Sequence, residues 1–286
     1  MSHNELKVHA VILALNEETF IQPLLDTIYQ FCSGISVITQ YDRDWYGQPV
    51  KPDKTANIVL NYPDSKGKIH FVVRRLPDEA SARNMEMLSF YKTSYKGILS
   101  HGRSSSDIAS FHKPPDYFWI MDADEFYDVK TIPSILEYLI SKKPRGMRVT
   151  GYNYLRTWNR RVPREIVDFT HFGFVRPGVR FEQRRVVSWN ESRLKKGMKL
   201  LSLPDWSARI YGFIQCPESI GVFHHGCWLG DDRMIRNKFD KSSHQESKLW
   251  KANSVDEIRS VFVPTNALPE NIQKAQWPQH FFDEQS

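Results

Sequence analysis

The sequence predicts an α/β fold built on a mostly parallel sheet, and three observations predict it. Apolar, β-rich runs recur at residues 8–15, 35–39, 69–73 and 117–121. Segments with helical periodicity separate them, and the resulting strand-helix-strand order is met most simply by parallel pairing.

The elements follow in chain order. Residues 8–15 form a first strand, and Asn16-Glu17-Glu18 reads as a helix start with acid in the first turn. Phe20, Ile21, Leu24, Leu25, Ile28 and Phe31 then fall at helical spacing, with Pro23 tolerated near the first turn and Gly34 closing the helix. A second strand covers residues 35–39 and runs into Gln40-Tyr41-Asp42; a third covers residues 69–73. Asp78 is placed to cap a helix through Tyr91, with Ala82, Met85, Met87, Leu88 and Tyr91 offered for its apolar face and Arg83 in its first turns. Residues 96–115, rich in Ser and Gly and ending in Pro114-Pro115, read as a loop. Thr131 and Pro133 open a helix through Ile140. Beyond Lys142 the segments alternate and become rich in Arg and aromatics, so residues 1–142 read as the ligand-binding half and residues 143–286 as a smaller mixed region of the same continuous domain.

A chain of 286 residues, 41% hydrophobic and 13% aromatic, can bury a large core. No run approaches the roughly 18 apolar residues of a membrane span. The polar residues 1–7 do not resemble a signal peptide, so a cytoplasmic protein is expected, free or peripheral at the inner membrane surface. Cys32, Cys216 and Cys227 lack metal-type spacing and suggest neither a disulfide framework nor a zinc site. With 39 Lys and Arg against 33 Asp and Glu, the net charge of +6 favours polyanionic partners: phosphates, anionic lipid or nucleic acid. Much of the excess lies in residues 145–199, interleaved with aromatics. That mixture suits a sugar-phosphate pocket, a nucleic acid or an ordinary surface of snorkelling side chains, and no nucleic-acid motif accompanies it.

The chemistry concentrates where Tyr117-Phe-Trp-Ile-Met121 runs into Asp122-Ala-Asp124-Glu125. A buried strand that ends in carboxylates at the C-terminal edge of an open sheet presents them where α/β folds bind ligands. Oxygen donors there suit Mg²⁺ or Mn²⁺ shared with substrate phosphates. The plainer alternative is a solvated turn.

Taken together, Val11-Ile-Leu-Ala-Leu-Asn16-Glu17-Glu18, Asp42, Glu79-Ala-Ser-Ala-Arg83-Asn84 and Met121-Asp-Ala-Asp124-Glu resemble the GT-A glycosyltransferases, most of all glycosyltransferase family 2. The resemblance covers residues 8–140. It implies a GT-A, Rossmann-like, mostly parallel sheet flanked by helices, with a smaller mixed C-terminal region. It also implies a metal-dependent, inverting transfer of a sugar from a nucleotide-diphosphate sugar to a hydroxyl of a glycan, a lipid-linked glycan or a modified nucleic acid. Asn16 and Glu17 would lie beside the nucleotide, Asp42 or its neighbour Asp44 at the base edge, and Arg83 at the diphosphate or ribose. Asp122 would contact ribose and metal-bound water, and Asp124 would hold Mn²⁺ or Mg²⁺ directly. Each has a structural alternative: helix cap, turn residue or surface ion pair.

Inversion needs one carboxylate to take the acceptor's proton. Glu182 in Val179-Arg-Phe-Glu-Gln is the first choice, with Glu165, Asp168, Asp231 and Asp232 as competitors. Further on, Val222-Phe-His224-His225-Gly-Cys-Trp228 resembles the late histidine that completes the metal shell in some relatives. On that resemblance His224 is chosen over His225, although adjacent strand residues face opposite ways and only one can serve, with a hydrogen-bonded structural histidine as the alternative. Lys238, with Arg236, would cover the diphosphate from a C-terminal flap or stand on a solvated helix face. Two rival functions stand beside this one. A nucleotidyltransferase normally carries a Gly-rich phosphate loop, absent after Leu15; a non-catalytic carbohydrate- or nucleic-acid-binding protein would make the acidic strand tip incidental.

Overall fold

The computed structural model describes residues 6–45, 47–94, 115–161, 170–174, 179–183, 186–189, 213–230, 263–265, 268–278 and 281–282. Lys238, Arg236, Glu165, Asp168, Asp231 and Asp232 lie outside them, as does nearly all of the 96–115 segment. The described elements are β1 (Val8–Leu13), α1 (Ile21–Ile28), β2 (Gly34–Thr39), α2 (Thr55–Leu60), β3 (Ile69–Val73), α3 (Glu79–Ser94), β4 (Tyr117–Asp122), β5 (Glu125–Tyr127), α4 (Ile132–Lys142), β6 (Gly146–Arg148), β7 (Gly151–Arg161), β8 (Phe172–Phe174), β9 (Val179–Gln183), β10 (Val186–Trp189), β11 (Phe213–Gln215), β12 (Phe223–Leu229), β13 (Val263–Pro264) and α5 (Glu270–Lys274).

The predicted mixed α/β class holds. A seven-stranded sheet runs in the order β11-β6-β8-β4-β1-β2-β3. Strands β3, β2, β1 and β4 pair in parallel, and β8 alone runs against its neighbours. Its central strands alternate between two cores. Ala10, Ile12, Ile35, Val37, Trp119 and Met121 face the larger one, with α1. Val11, Leu13, Ile38, Phe118 and Ile120 face the smaller one, with Ala80, Ala82 and Met87 of α3. The same parity puts Asp122, two residues beyond Ile120, on the α3 side.

A second sheet, β13-β7-β12-β5, takes over where β4 ends. Strand β5 pairs antiparallel with β12, so the Asp122-Ala-Asp124-Glu125 turn is the joint between the two sheets. At Gly146 and Gly151 the cross-strand partners are Phe213 and Phe223, whose rings cover the backbone where a Cβ would stand. The C-terminal segment straps β5 from behind. Asn271 donates to the Tyr127 carbonyl (2.9 Å), and Trp277 packs on Phe20, Phe126 and Trp158.

Helix α1 differs from expectation at both ends. Helix α1 begins at Ile21 because residues 17–20 form a turn, with the Glu17 carbonyl accepting from the amides of Phe20 and Ile21. It ends in a 3-10 turn at Tyr29–Phe31, so Gly34 opens β2 instead of closing the helix. Helix α3 begins as predicted, the Asp78 carboxylate accepting from the Ser81 amide (2.6 Å). Of the predicted apolar face, Ala82 and Met87 are buried and Met85 is half-buried, while the side chains of Leu88 and Tyr91 lie outside those described. Small Ala80 and Ala82 bring the helix close to the sheet, and Arg83 and Glu86 go inside with them because both find partners there. Cys32 and Cys216 are buried free thiols, the Cys32 thiol pushed up to about 12 by burial.

Candidate active site

The acidic turn is built by backbone constraint before any ligand is considered. The Ala123 amide donates to the Leu13 carbonyl (3.2 Å), tying the turn to the end of β1. The Glu125 carboxylate, itself buried, accepts from the Asp122 amide (3.2 Å) and closes the turn on itself. From the second sheet, the Gly226 amide donates to the Asp124 carbonyl (2.8 Å). Asp122 and Asp124 are thereby fixed at the C-terminal edge of the parallel sheet.

Arg83 holds Asp122. Its Nη2 lies 2.8 Å from Asp122 Oδ1 and its Nη1 3.4 Å from Glu79 Oε2. The Arg83 side chain is wholly buried, whereas that of Asp122 is 35% exposed. A guanidinium taken fully out of water requires such charge-assisted bonds. The surface ion pair offered as the plain alternative for Arg83 is therefore corrected: the pair exists, and it is interior.

The adjacent histidines divide as strand geometry requires. His224 is buried, and its Nδ1 lies 2.7 Å from the Tyr154 hydroxyl. His225 turns to the other face, where its Nε2 lies 3.3 Å from Asp124 Oδ1 and its Nδ1 2.8 Å from Asn153 Oδ1. In the tautomer that donates Nδ1–H to the Asn153 carbonyl oxygen, Nε2 presents its lone pair to the Asp124 carboxylate; in the other tautomer Nε2–H donates to Asp124 Oδ1 directly. In the first tautomer the two acceptors leave room for a cation between them.

The separation fits a cation. Two cis ligands at about 2.1 Å from an octahedral ion stand roughly 3.0 Å apart, close to the 3.3 Å between His225 Nε2 and Asp124 Oδ1. Among the described residues no group of three His, Cys, Asp or Glu side chains is gathered for a metal. A cation here would thus take two protein donors and complete its shell from water and phosphate, the usual habit of nucleotide-bound ions.

The first-half residues also take definite places. Asn16 adopts a left-handed conformation (φ 57°), which Asn tolerates, and its side chain bonds the loop opposite: Nδ2 donates to the Lys51 carbonyl (3.0 Å) and Oδ1 accepts from the Asp53 amide (3.2 Å). The Glu17 amide donates to the Thr55 hydroxyl (2.7 Å). Asp42, at the end of β2, is held by both Nε and Nη2 of Arg75, which keeps its carboxyl below the usual carboxylate range. Asp44 closes a turn, accepting from the Gln48 amide (2.8 Å). Of these residues, the structure brings together Arg83 with Asp122, and Asp124 with His225.

Glu182 sits in the two-stranded β9–β10 ribbon. Gln183 pairs with Val186 and Phe181 with Val187, which leaves Glu182 as the extra residue of a β-bulge. Bulges re-aim a strand and cluster beside active sites.

Sequence reasoning missed Asn153, Tyr154, Arg75 and the carboxamide of Asn84 as partners. The parallel pairing of β7 with β12 sets Tyr152 beside His224 and Asn153 beside His225. That long-range register reveals Asn153 and Tyr154, for which the alternation of Tyr152-Asn-Tyr154 was the available signal; Arg75 and Asn84 are found through their bonds to Asp42 and Phe181.

No protein-family model and no curated protein matches this sequence. Among solved structures it is similar to residues 1–349 of Staphylococcus aureus TarS, with a TM-score of 0.30 and 14% identity over 54% of this chain and 37% of that one. The TarS 1–349 complex with UDP-GlcNAc matches with the same TM-score and identity over 54% and 36%, and the TarS structure without those residue bounds over 53% and 22%. The chain thus spans well under half the length of these neighbours, and a likeness this loose adds nothing to the residue-level argument.

Proposed function

We propose that the chain is a metal-dependent glycosyltransferase of GT-A type, moving a sugar from a nucleotide diphosphate to an acceptor hydroxyl with inversion at the anomeric carbon. The observation that carries the proposal is the Asp124–His225 pair, 3.3 Å apart at the C-terminal edge of the parallel sheet and next to an Asp122 held by a buried arginine. A carboxylate and an imidazole together suit Mn²⁺ better than Mg²⁺, which prefers oxygen. Of the adjacent histidines the proposal takes His225 as ligand, because His224 is engaged with Tyr154 and does not meet Asp124 in the described contacts.

The chain's own groups have separate tasks. Asp122, oriented by Arg83, would receive the ribose; Asn16 and Glu17 would shape the wall beside the nucleotide. Asp42 with Arg75 offers an acceptor and a donor side by side for a base edge. Lys238 would neutralise phosphate oxygens. The bound cation would stabilise the negative charge gathering on the departing diphosphate. Glu182 would accept the acceptor's hydroxyl proton as the acceptor oxygen bonds to the anomeric carbon and the carbon–oxygen bond to the diphosphate breaks, the electron pair leaving on phosphate.

The test is incubation of the full chain with Mn²⁺ and UDP-, GDP-, TDP- and CMP-sugars. The account expects Mn²⁺-dependent release of nucleotide from at least one donor and a raised melting temperature with the matching nucleotide. Neither response from any donor would leave the enzyme reading without support.

A further inference from the structure

Two consecutive residues of α3 reach in two directions. Arg83 holds Asp122 at the end of β4, and Asn84 holds the strand that carries Glu182. The Asn84 carboxamide behaves as a one-residue strand: its Nδ2 donates to the Phe181 carbonyl (2.8 Å), and its Oδ1 accepts from the Phe181 amide (2.7 Å). Those two bonds join residues 97 positions apart. Among the described residues the β9–β10 ribbon shares no ladder with either larger sheet, and side-chain contacts with α3 hold it. Phe181 provides one, buried with Ala80, Ala82 and Met87 of α3. Asn84 provides the directional one, at the residue immediately before the bulged Glu182.

An apolar contact fixes distance but tolerates sliding along the strand; a reciprocal pair of hydrogen bonds fixes register as well. We propose that Asn84 is a positioning residue for glycosyl transfer, locking the bulged strand of Glu182 at a set register against the helix that also orients Asp122. The inference rests on the proposed function and on Glu182 as the base. It assigns to the Arg83-Asn84 dipeptide the task of setting the spacing between the donor side and the acceptor side of the reaction. Both ends of the Asn84 carboxamide are engaged by the Phe181 backbone, so its assigned role is positioning.

The experiment compares wild type with Asn84→Ala, Asn84→Asp, Glu182→Gln and the Asn84→Ala/Glu182→Gln double variant, using Mn²⁺ and the sugar nucleotide that the wild type hydrolyses fastest. The readouts are kcat, donor KM and melting temperature. Asn84→Ala should lower kcat roughly 30- to 100-fold, the scale of a misplacement near 1 Å, with donor KM changed less than about 3-fold. In the Glu182→Gln background it should add almost nothing, because the group it positions is already gone. Asn84→Asp keeps an acceptor for the Phe181 amide but loses the donor to its carbonyl, so its kcat should fall between the two; it carries the comparison if Asn84→Ala does not fold. A merely structural Asn84 would lower melting temperature without this split, or would multiply the Glu182→Gln defect, and either result overturns the proposal. An active wild type with an indifferent Asn84→Ala overturns the positioning role alone. A wild type that turns over no donor removes the function and this inference with it.

Discussion

Replacing Arg83 with Met is the perturbation whose size the structure sets most narrowly. Met keeps most of the apolar stem and removes only the guanidinium, so the packing of α3 on the sheet is nearly conserved. What is lost is the 2.8 Å bond to Asp122 and the 3.4 Å contact with Glu79. Breaking a fully buried pair costs about 3–5 kcal/mol, and breaking an exposed one about 0–1. Here Arg83 is fully buried, but Asp122 and Glu79 are 35% and 19% exposed and can recover part of their hydration. The expected loss is about 2 kcal/mol, between the two limits, or roughly 4–8 °C in melting temperature for a domain of this size. Urea unfolding followed by far-UV circular dichroism measures it. An Asp122→Asn control completes a double-mutant cycle, in which the coupling between the two sites should be about 1–2 kcal/mol. A variant within about 0.5 kcal/mol of wild type, or a loss undiminished in the Asp122→Asn background, would refute the claim that Arg83 is inside the protein to hold that carboxylate.

Other consequences follow from buried groups outside the acidic turn. His9, Ser36 and Glu86 form a chain between β1, β2 and α3, with the Ser36 hydroxyl bonded to both His9 Nε2 (2.8 Å) and the Glu86 carboxylate. His9 and Glu86 approach to 3.9 Å, yet burial drives both toward their neutral forms, His9 down to about 3 with His70 adding repulsion and Glu86 above its ordinary value. Between pH 6.5 and about 3 the unfolded chain therefore binds a proton at His9 that the folded one refuses, so this residue's contribution to stability is complete above pH 6.5 and is lost as pH falls. In His9→Gln the acid limb of stability against pH, recorded by unfolding from pH 7 to 4, should be flatter by up to about 1.4 kcal/mol per pH unit; an unchanged slope would exclude His9 as its source. Gly151→Ala would drive a methyl into the Phe223 ring. It should cost about 1–3 kcal/mol in unfolding free energy, and a neutral outcome would mean that the ring shifts freely.

The parallel core was legible because its strands are continuous apolar runs, and because Asp78 and Pro133 mark helix starts by local chemistry that owes little to tertiary context. The acidic tip was legible for a similar reason: charge directly after Met121 contradicts a buried strand unless the strand has reached an edge. The rest depended on pairing over long sequence distances. The sequence assigns Arg83 to a diphosphate or ribose, with a surface ion pair as the alternative, because nothing local announces that Asp122, 39 positions away, receives it. The preference for His224 over His225 has no support from strand alternation, which says that they face opposite ways but not which face meets Asp124; the register of β12 on β5 and β7 puts His225 there. Gly34 was misplaced because glycine closes helices and opens strands with equal ease.

The central claim is that Asp124 and His225 form the protein's share of a cation site for a sugar nucleotide. Its most direct test is a crystal grown with Mn²⁺ and the nucleoside diphosphate that most raises the melting temperature, with anomalous scattering recorded above and below the manganese edge. The account predicts one strong peak within about 2.0–2.3 Å of both Asp124 Oδ1 and His225 Nε2, bridged to the diphosphate and absent in Asp124→Asn crystals. A peak elsewhere, or nucleotide bound with no manganese beside Asp124, would contradict it.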